Sequence, residues 1–216
     1  MVVSVHIADL GLVRAVRLLR QRVDAPGLTW AQLAATAPLR GQRGRLPRPG
    51  RVALIAAWEN EESVERFMSG HSVAHELADG GHIRMRPVRT VGSWTPMAGI
   101  EEFAEEMEPN EQAAVLTLGR MRIRRALPFF RASGPAEKLA VDDPVVEYAT
   151  ALARPPRFVA TFSIWNGVDA MRDYSTGRNR PGHRDAMRAH AANPFHHEAA
   201  FIRFRPYARA GEFPAV

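Results

Sequence analysis

Eight histidines, at positions 6, 71, 75, 82, 183, 190, 196 and 197, are the aromatic bases available for metal or acid–base chemistry, and the chain contains no cysteine. Thiolate nucleophiles, thiolate metal sites, disulfides and iron–sulfur clusters are therefore excluded. His71 and His75 stand at i, i+4 and can share a helix face. The run H-S-V-A-H lacks the glutamate of H-E-x-x-H, so zincin chemistry is not supported, and two polar helix histidines are the better reading. His196 and His197 are adjacent, so on a strand or helix their rings point apart, which argues against a joint site. His183 follows Arg180-Pro181-Gly182, a rigid turn opening a helix, and shares a face with Met187. A histidine so anchored over an apolar cavity suits an axial ligand to haem iron. On spacing alone a capping or surface histidine is favoured. No glycine-rich phosphate loop and no G-x-S-x-G elbow occurs. Asp142-Asp143 precedes Pro144 and reads as a turn. Trp58 and Trp165 each end a short apolar run, as core plugs or cavity walls.

The elements that must position these groups are written twice. Arg51–Trp58 reads RVALIAAW, and residues 157–165 read RFVATFSIW. Val64 and Phe67 follow the first tryptophan; Met171 and Tyr174 follow the second at the same offsets. Each half then carries I-R-[MF]-R-P, at residues 83–87 and 202–206. Each half is expected to form β-α-β-β-α-β. In the first, residues 2–8 alternate as a strand, and 11–21 are helical, with Leu12, Val13, Val16 and Leu19 at helical spacing. Residues 29–36 and 51–58 are further strands, 60–78 a helix broken at Ser69-Gly70, and 83–91 the closing strand. In the second, 113–122 is a strand, 124–132 a short helix and 157–165 a strand. A helix after Asn166 is interrupted near 175–182 and resumes through 183–192; 201–206 is the last strand. Residues 145–153 fit a strand or a helix equally. Domain boundaries follow as 1–94, an acidic linker over 95–111, and 112–216 with the ligand site. The linker reads as solvated.

Two such units cannot each cover both faces of their sheets. Packing sheet against sheet gives a pseudo-symmetric α+β barrel from tandem ferredoxin-like units, with helices outside and a ligand cavity between sheet and helices. The composition agrees with a globular chain: 46% hydrophobic and 24% charged. Lys138 is the single lysine, and 29 basic against 23 acidic residues give +6. The arginines are scattered, so binding to nucleic acid is not expected. No run approaches the roughly 18 apolar residues of a membrane span, and no signal peptide is visible. The expected location is the cytoplasm.

Leu116-Thr117-Leu118-Gly119-Arg120, Thr161-Phe162-Ser163-Ile164-Trp165, Arg180-Pro181-Gly182-His183 and Phe201-Ile202-Arg203-Phe204 together resemble the spheroidene monooxygenase family of carotenoid oxygenases. The likeness covers mainly residues 113–206. It implies a dimeric α/β-barrel fold and oxidation of a carotenoid-like hydrophobic substrate. That oxidation uses O2 and external electrons, for example from a ferredoxin. It implies haem b as cofactor, with His183 as the iron ligand and Met187, Trp165, Phe162 and Phe204 lining the pocket. Arg120 and Arg178 are implied near bound O2 or a haem propionate. Peripheral membrane contact and homo-oligomer formation are compatible with it. The competing expectations are a cofactor-free or haem-degrading monooxygenase of the same barrel fold, and a haem- or ligand-binding protein without turnover.

Overall fold

The computed structural model describes residues 1–39, 49–129, 131, 144–176 and 194–215, and of 174–176 the backbone alone. Eight strands carry the fold: β1 Val2–Asp9, β2 Leu28–Ala37, β3 Arg51–Trp58, β4 Gly81–Gly92, β5 Ala113–Met121, β6 Val146–Arg154, β7 Phe158–Trp165 and β8 His196–Ala210. They close into one antiparallel barrel in the order β1-β3-β2-β6-β7-β5-β8-β4. Cut at its two seams, this circle gives β4-β1-β3-β2 and β8-β5-β7-β6, the ferredoxin-like order twice. The seams are β4·β8, along nearly the whole of both strands, and β2·β6, through Ala35, Thr36 and Ala37. The chain is therefore an α+β protein with two ferredoxin-like units in one dimeric α/β-barrel fold.

Period-2 alternation fixes which side chains fill the barrel. Val3, Val5 and Ile7 of β1, Leu116 and Leu118 of β5, Phe162 and Ile164 of β7, and Ile202 and Phe204 of β8 meet in one buried cluster. Trp30, Trp94 and Phe158 cap one end, with ring centroids 5.9–6.4 Å apart. Tyr148, Phe162 and Phe213 pack together toward the other. These side chains form one core inside the barrel.

The outer face of the first sheet is covered by α1 Leu12–Leu19, α2 Glu61–Gly70 and α3 Ser72–Glu76. Asn60 caps α2 by accepting from the Ser63 backbone N–H at 3.0 Å, and Glu61 and Glu62 complement the helix dipole. The break expected at 69–70 falls at His71, whose extended backbone separates α2 from α3. The helix expected over 11–21 is α1, which buries Ala15 and Leu18 and leaves Leu12, Val13 and Val16 exposed.

In the second unit α4, Val168–Thr176, packs on the sheet through Val168 and Met171. Residues 145–153, open between helix and strand in sequence, are strand β6, and β8 runs well past 201–206 at both ends. The linker is not wholly solvated. Glu101, Glu102, Glu105, Glu106 and Glu108 are exposed, but Met97, Ile100 and Met107 are buried. Arg205 clamps it to β8, donating from Nε to Glu111 at 2.5 Å and from Nη2 to the Glu106 carbonyl at 2.7 Å.

Candidate functional site

The outer faces of the two sheets differ, and the difference begins in the sequence. Every residue of β3 in RVALIAAW is buried, and its outward Val52, Leu54, Ala56 and Trp58 are fully covered by the helices. In β7, FVATFSIW, the outward Val159, Thr161 and Ser163 are only half-buried. Register places these side chains in rows across the sheet. Ser163, Val115 and Arg203 form one row; Thr161, Thr117 and Phe201 the next; Val159, Gly119 and Ala199 the third. Thr117 is exposed and Phe201 half-buried. Among the described residues this face of the second unit carries hydroxyls, small side chains and one aromatic ring.

Each end of this surface carries a distinctive group. At one end the His196 ring lies on Gly119. A Cβ there would come 2.7 Å from His196 Cδ2, 2.8 Å from Nε2 and 3.3 Å from a Val159 methyl. Glycine is thus required for the imidazole to sit flat on the strand. Phe129 holds the ring edge-on at 4.9 Å. His197 points the other way and is exposed, as adjacency on a strand demands. At the other end Arg203 is buried, and its Nε has no hydrogen-bond partner among the described residues. Burial, together with the positive charges of Arg172 and Arg89, lowers its pKa below the usual arginine value. From Gly119 to Val115, beside Arg203, is four residues, about 13 Å of strand.

Of the residues singled out in sequence, Trp165 belongs to this face. Its indole packs with Val115, Val168 and Met171, and its Nε1 donates to Ser163 Oγ at 2.8 Å. Trp58 does the same in the first unit, donating to Ser4 Oγ at 2.9 Å. Phe162 and Phe204 do not join Trp165. Phe162 lies three residues before it, an odd step that turns the ring into the barrel, where Phe204 also sits. The expected common pocket of these three is therefore corrected. Arg120 is likewise displaced. It has the parity of Leu116 and Leu118 and so leans to the barrel mouth, 3.4 Å from Glu198 and 5.6 Å over the Trp94 ring. Arg178, His183 and Met187 lie outside the described residues. Sequence reading missed Arg203, Arg172, His196 and Gly119, although the glycine in L-T-L-G-R, at an outward parity, was an available signal.

A second histidine group lies on the first sheet. His6 is buried against His82, stacked at 5.4 Å, with Nε2 3.1 Å from Ser4 Oγ. Burial first, then His82 and Arg84, push the His6 pKa down to about 3, so the ring stays neutral. It is enclosed by Phe67 and takes the place of a core residue. A cleft of about 250 Å³ opens beside it, between Pro26, Ser63, Phe67 and His71. His71 Nδ1 is occupied as an acceptor from the Val73 backbone N–H at 3.1 Å. Among the described residues no three His, Asp or Glu side chains converge as a metal site, and no helix is long and apolar enough to cross a membrane.

The barrel and its half-open second face define the class: a two-unit dimeric α/β-barrel protein with a candidate ligand surface on its second unit. No family model matches the chain. The chain is similar to a spheroidene monooxygenase of Rubrivivax gelatinosus, 26% identical over 192 residues, which span 86% of this chain and 72% of that protein. Among solved structures it is similar to a candidate monooxygenase of Fusobacterium nucleatum, with TM-score 0.44 and 7% identity over 97% of this chain and 94% of that one. A candidate monooxygenase of Lactobacillus acidophilus gives 0.43 and 9% over 100% and 98%. A haem-degrading enzyme of Listeria monocytogenes gives 0.31 and 12% over 92% and 98%.

Proposed function

We propose that this protein is a monooxygenase that oxidises a hydrophobic, carotenoid-like substrate with O2 and electrons from an external donor, and that haem b is its cofactor. The observation that carries the reading is the asymmetry of the two outer faces. The first is sealed by helices, whereas among the described residues of the second Thr117 is exposed and Thr161, Ser163 and Phe201 are half-buried, between an imidazole and a buried guanidinium. The overall balance is one O2, two electrons and two protons consumed, with one oxygen atom in the product and one in water.

His183 is the ligand that the family resemblance implies; the His196 ring lies flat on Gly119 with its Nε2 buried against the strand. Arg203 supplies a buried cation suited to a propionate. Haem iron held there would supply O2 activation. The chain's own residues do the remaining work. Trp165, Val115 and Phe201 bind the apolar body and exclude water from that end. Thr117, Thr161 and Ser163 offer hydroxyls that can orient a polar group or carry a proton. The exposed Leu12, Val13 and Val16 of α1, with Arg14 and Arg20 between and beside them, support peripheral contact with an anionic membrane surface from which such a substrate is drawn.

The test is an absorption spectrum of the protein expressed with added haem, beside His183→Ala and His196→Ala. A Soret band lost or shifted in one variant identifies the ligand, and O2-dependent product from an acyclic carotenoid with reductant then establishes turnover. A Soret band without such product marks a binding protein. Absence of haem uptake refutes the haem reading, and turnover in its absence would mark a cofactor-free enzyme.

A further inference from the structure

The two halves of the chain can be compared position by position, because Trp58 and Trp165 end equivalent strands and the I-R-[MF]-R-P runs align. Arg84 and Arg203 are then counterparts. β1 pairs Ser4 with Arg84 and β5 pairs Val115 with Arg203, each two residues past a strand position opposite the tryptophan. In the first unit Arg84 is neutralised from α2. Its Nη1 pairs with Glu61 and lies 3.7 Å from Glu65. Those acids stand three and seven residues after Trp58. Three and seven residues after Trp165 stand Val168 and Arg172. Both carboxylates are gone, and one has become a second cation.

Arg203 is also the more enclosed of the pair, buried beside Val115 and next to Arg89 across the β4·β8 seam. Among the described residues no carboxylate pairs with it. The neighbouring Arg205 is fully engaged by Glu105, Glu111 and the Glu106 carbonyl. The linker thus satisfies one arginine of the R-F-R pair and leaves the other. Arg172 is itself paired with Asp169 at 3.4 Å, but no carboxylate among the described residues reaches Arg203, and a buried guanidinium beside Arg89 is costly unless an anion meets it. The contrast with Arg84 shows that the fold itself does not demand this arrangement.

We infer that Arg203, with Arg172 and Arg89, forms a carboxylate-binding site for an amphiphilic ligand whose apolar body lies along Thr117, Thr161 and Phe201. This rests on the reading of the second outer face as the ligand surface. A hydrocarbon carotenoid carries no anion, so the carboxylate belongs either to the haem propionates or to an acidic, fatty-acid-like molecule. The planar fork of arginine suits a carboxylate held in two contacts.

The experiment compares acids with their neutral esters on the full chain: haem against haem dimethyl ester by Soret titration, and oleate against methyl oleate by quenching of tryptophan fluorescence. At least one acid is expected to bind on the order of tenfold or more tighter than its ester, and Arg203→Met to abolish the difference. A preference confined to haem assigns the site to the propionates; one confined to oleate assigns it to an acidic substrate. Equal binding of acid and ester, or a preference that survives Arg203→Met, overturns the inference while leaving the apolar face as a ligand surface. Binding of none of the four overturns both. Arg172→Glu restores the acid that Glu65 provides in the first unit. It is expected to remove the preference for acids. A retained preference overturns the inference independently of Arg203→Met.

Discussion

His6 makes the fold's stability depend on pH in a way that can be isolated. The ring is buried between Phe67 and His82, and its pKa is pushed down from 6.5 to about 3 by burial, His82 and Arg84. In the unfolded chain the same imidazole takes up a proton near pH 6.5. Between the two values the unfolded state holds more protons, so stability is complete above pH 6.5 and falls as pH drops toward 3. At about 1.4 kcal/mol per pH unit, His6 alone withdraws roughly 2 kcal/mol between pH 6.5 and 5, and about 5 kcal/mol by pH 3. For a chain of 216 residues the first figure is about 4–8 °C in melting temperature. The perturbation is His6→Leu, which keeps an apolar body in the site and leaves Ser4 Oγ accepting from Trp58. Other acid-labile groups, His82 among them, remain in both proteins and largely cancel. Thermal melts of both proteins from pH 7.5 to 4.5 give the difference curve. The variant should lose its disadvantage, or gain an advantage, by roughly 2 kcal/mol at pH 5. A difference that stays constant across that range refutes a neutral, buried His6.

Gly119→Val places a side chain where the His196 ring lies, against contacts of 2.7 and 2.8 Å. The variant should stay folded at a cost of about 1–3 kcal/mol and bind haem on the order of tenfold more weakly in a Soret titration. Unchanged binding would remove this end of the face from the site. Replacing Leu12, Val13 and Val16 by serine should leave the melting temperature within a few degrees, because all three are exposed. It should abolish co-sedimentation of the protein with phosphatidylglycerol vesicles, with phosphatidylcholine vesicles binding neither form. Equal sedimentation of both forms with the anionic vesicles would exclude α1 as the contact.

The barrel was legible because its signals are local and repeated: two apolar runs ending in tryptophan, and two I-R-[MF]-R-P strands. The site was less so, for reasons that lie in parity and packing. Phe162 and Trp165 stand together in the motif T-F-S-I-W, yet three residues on a strand put them on opposite faces. Arg120 follows the inward parity of Leu116 and Leu118, which a register argument on β5 would have caught. α1 carries two apolar stripes, and nothing within the helix says that Ala15 and Leu18 rather than Leu12, Val13 and Val16 meet the sheet. That choice depends on the space left above β2 and β3. His6 reads as a polar residue in an alternating strand, whereas its burial comes from Phe67 and His82, both more than 60 residues away.

A site on the second unit, as proposed, accords with the way the barrel closes. The inner faces of both sheets share one core, so a change inside either unit disturbs the other. The outer faces meet mainly their own helices, with Val88 and Met107 also reaching the second, and can diverge more freely. Along equivalent strand positions Ser4, His6 and Ala8 stand against Val115, Thr117 and Gly119. On the helices Glu61 and Glu65 stand against Val168 and Arg172. In the first unit these choices produce an enclosed imidazole and a neutralised arginine, which close the face. In the second they remove the side chain at Gly119, where the His196 ring lies, expose a hydroxyl at Thr117 and, among the described residues, leave Arg203 without a carboxylate partner. One layer thus supplies rigidity, and on the proposed reading its copy supplies the groups that a ligand meets.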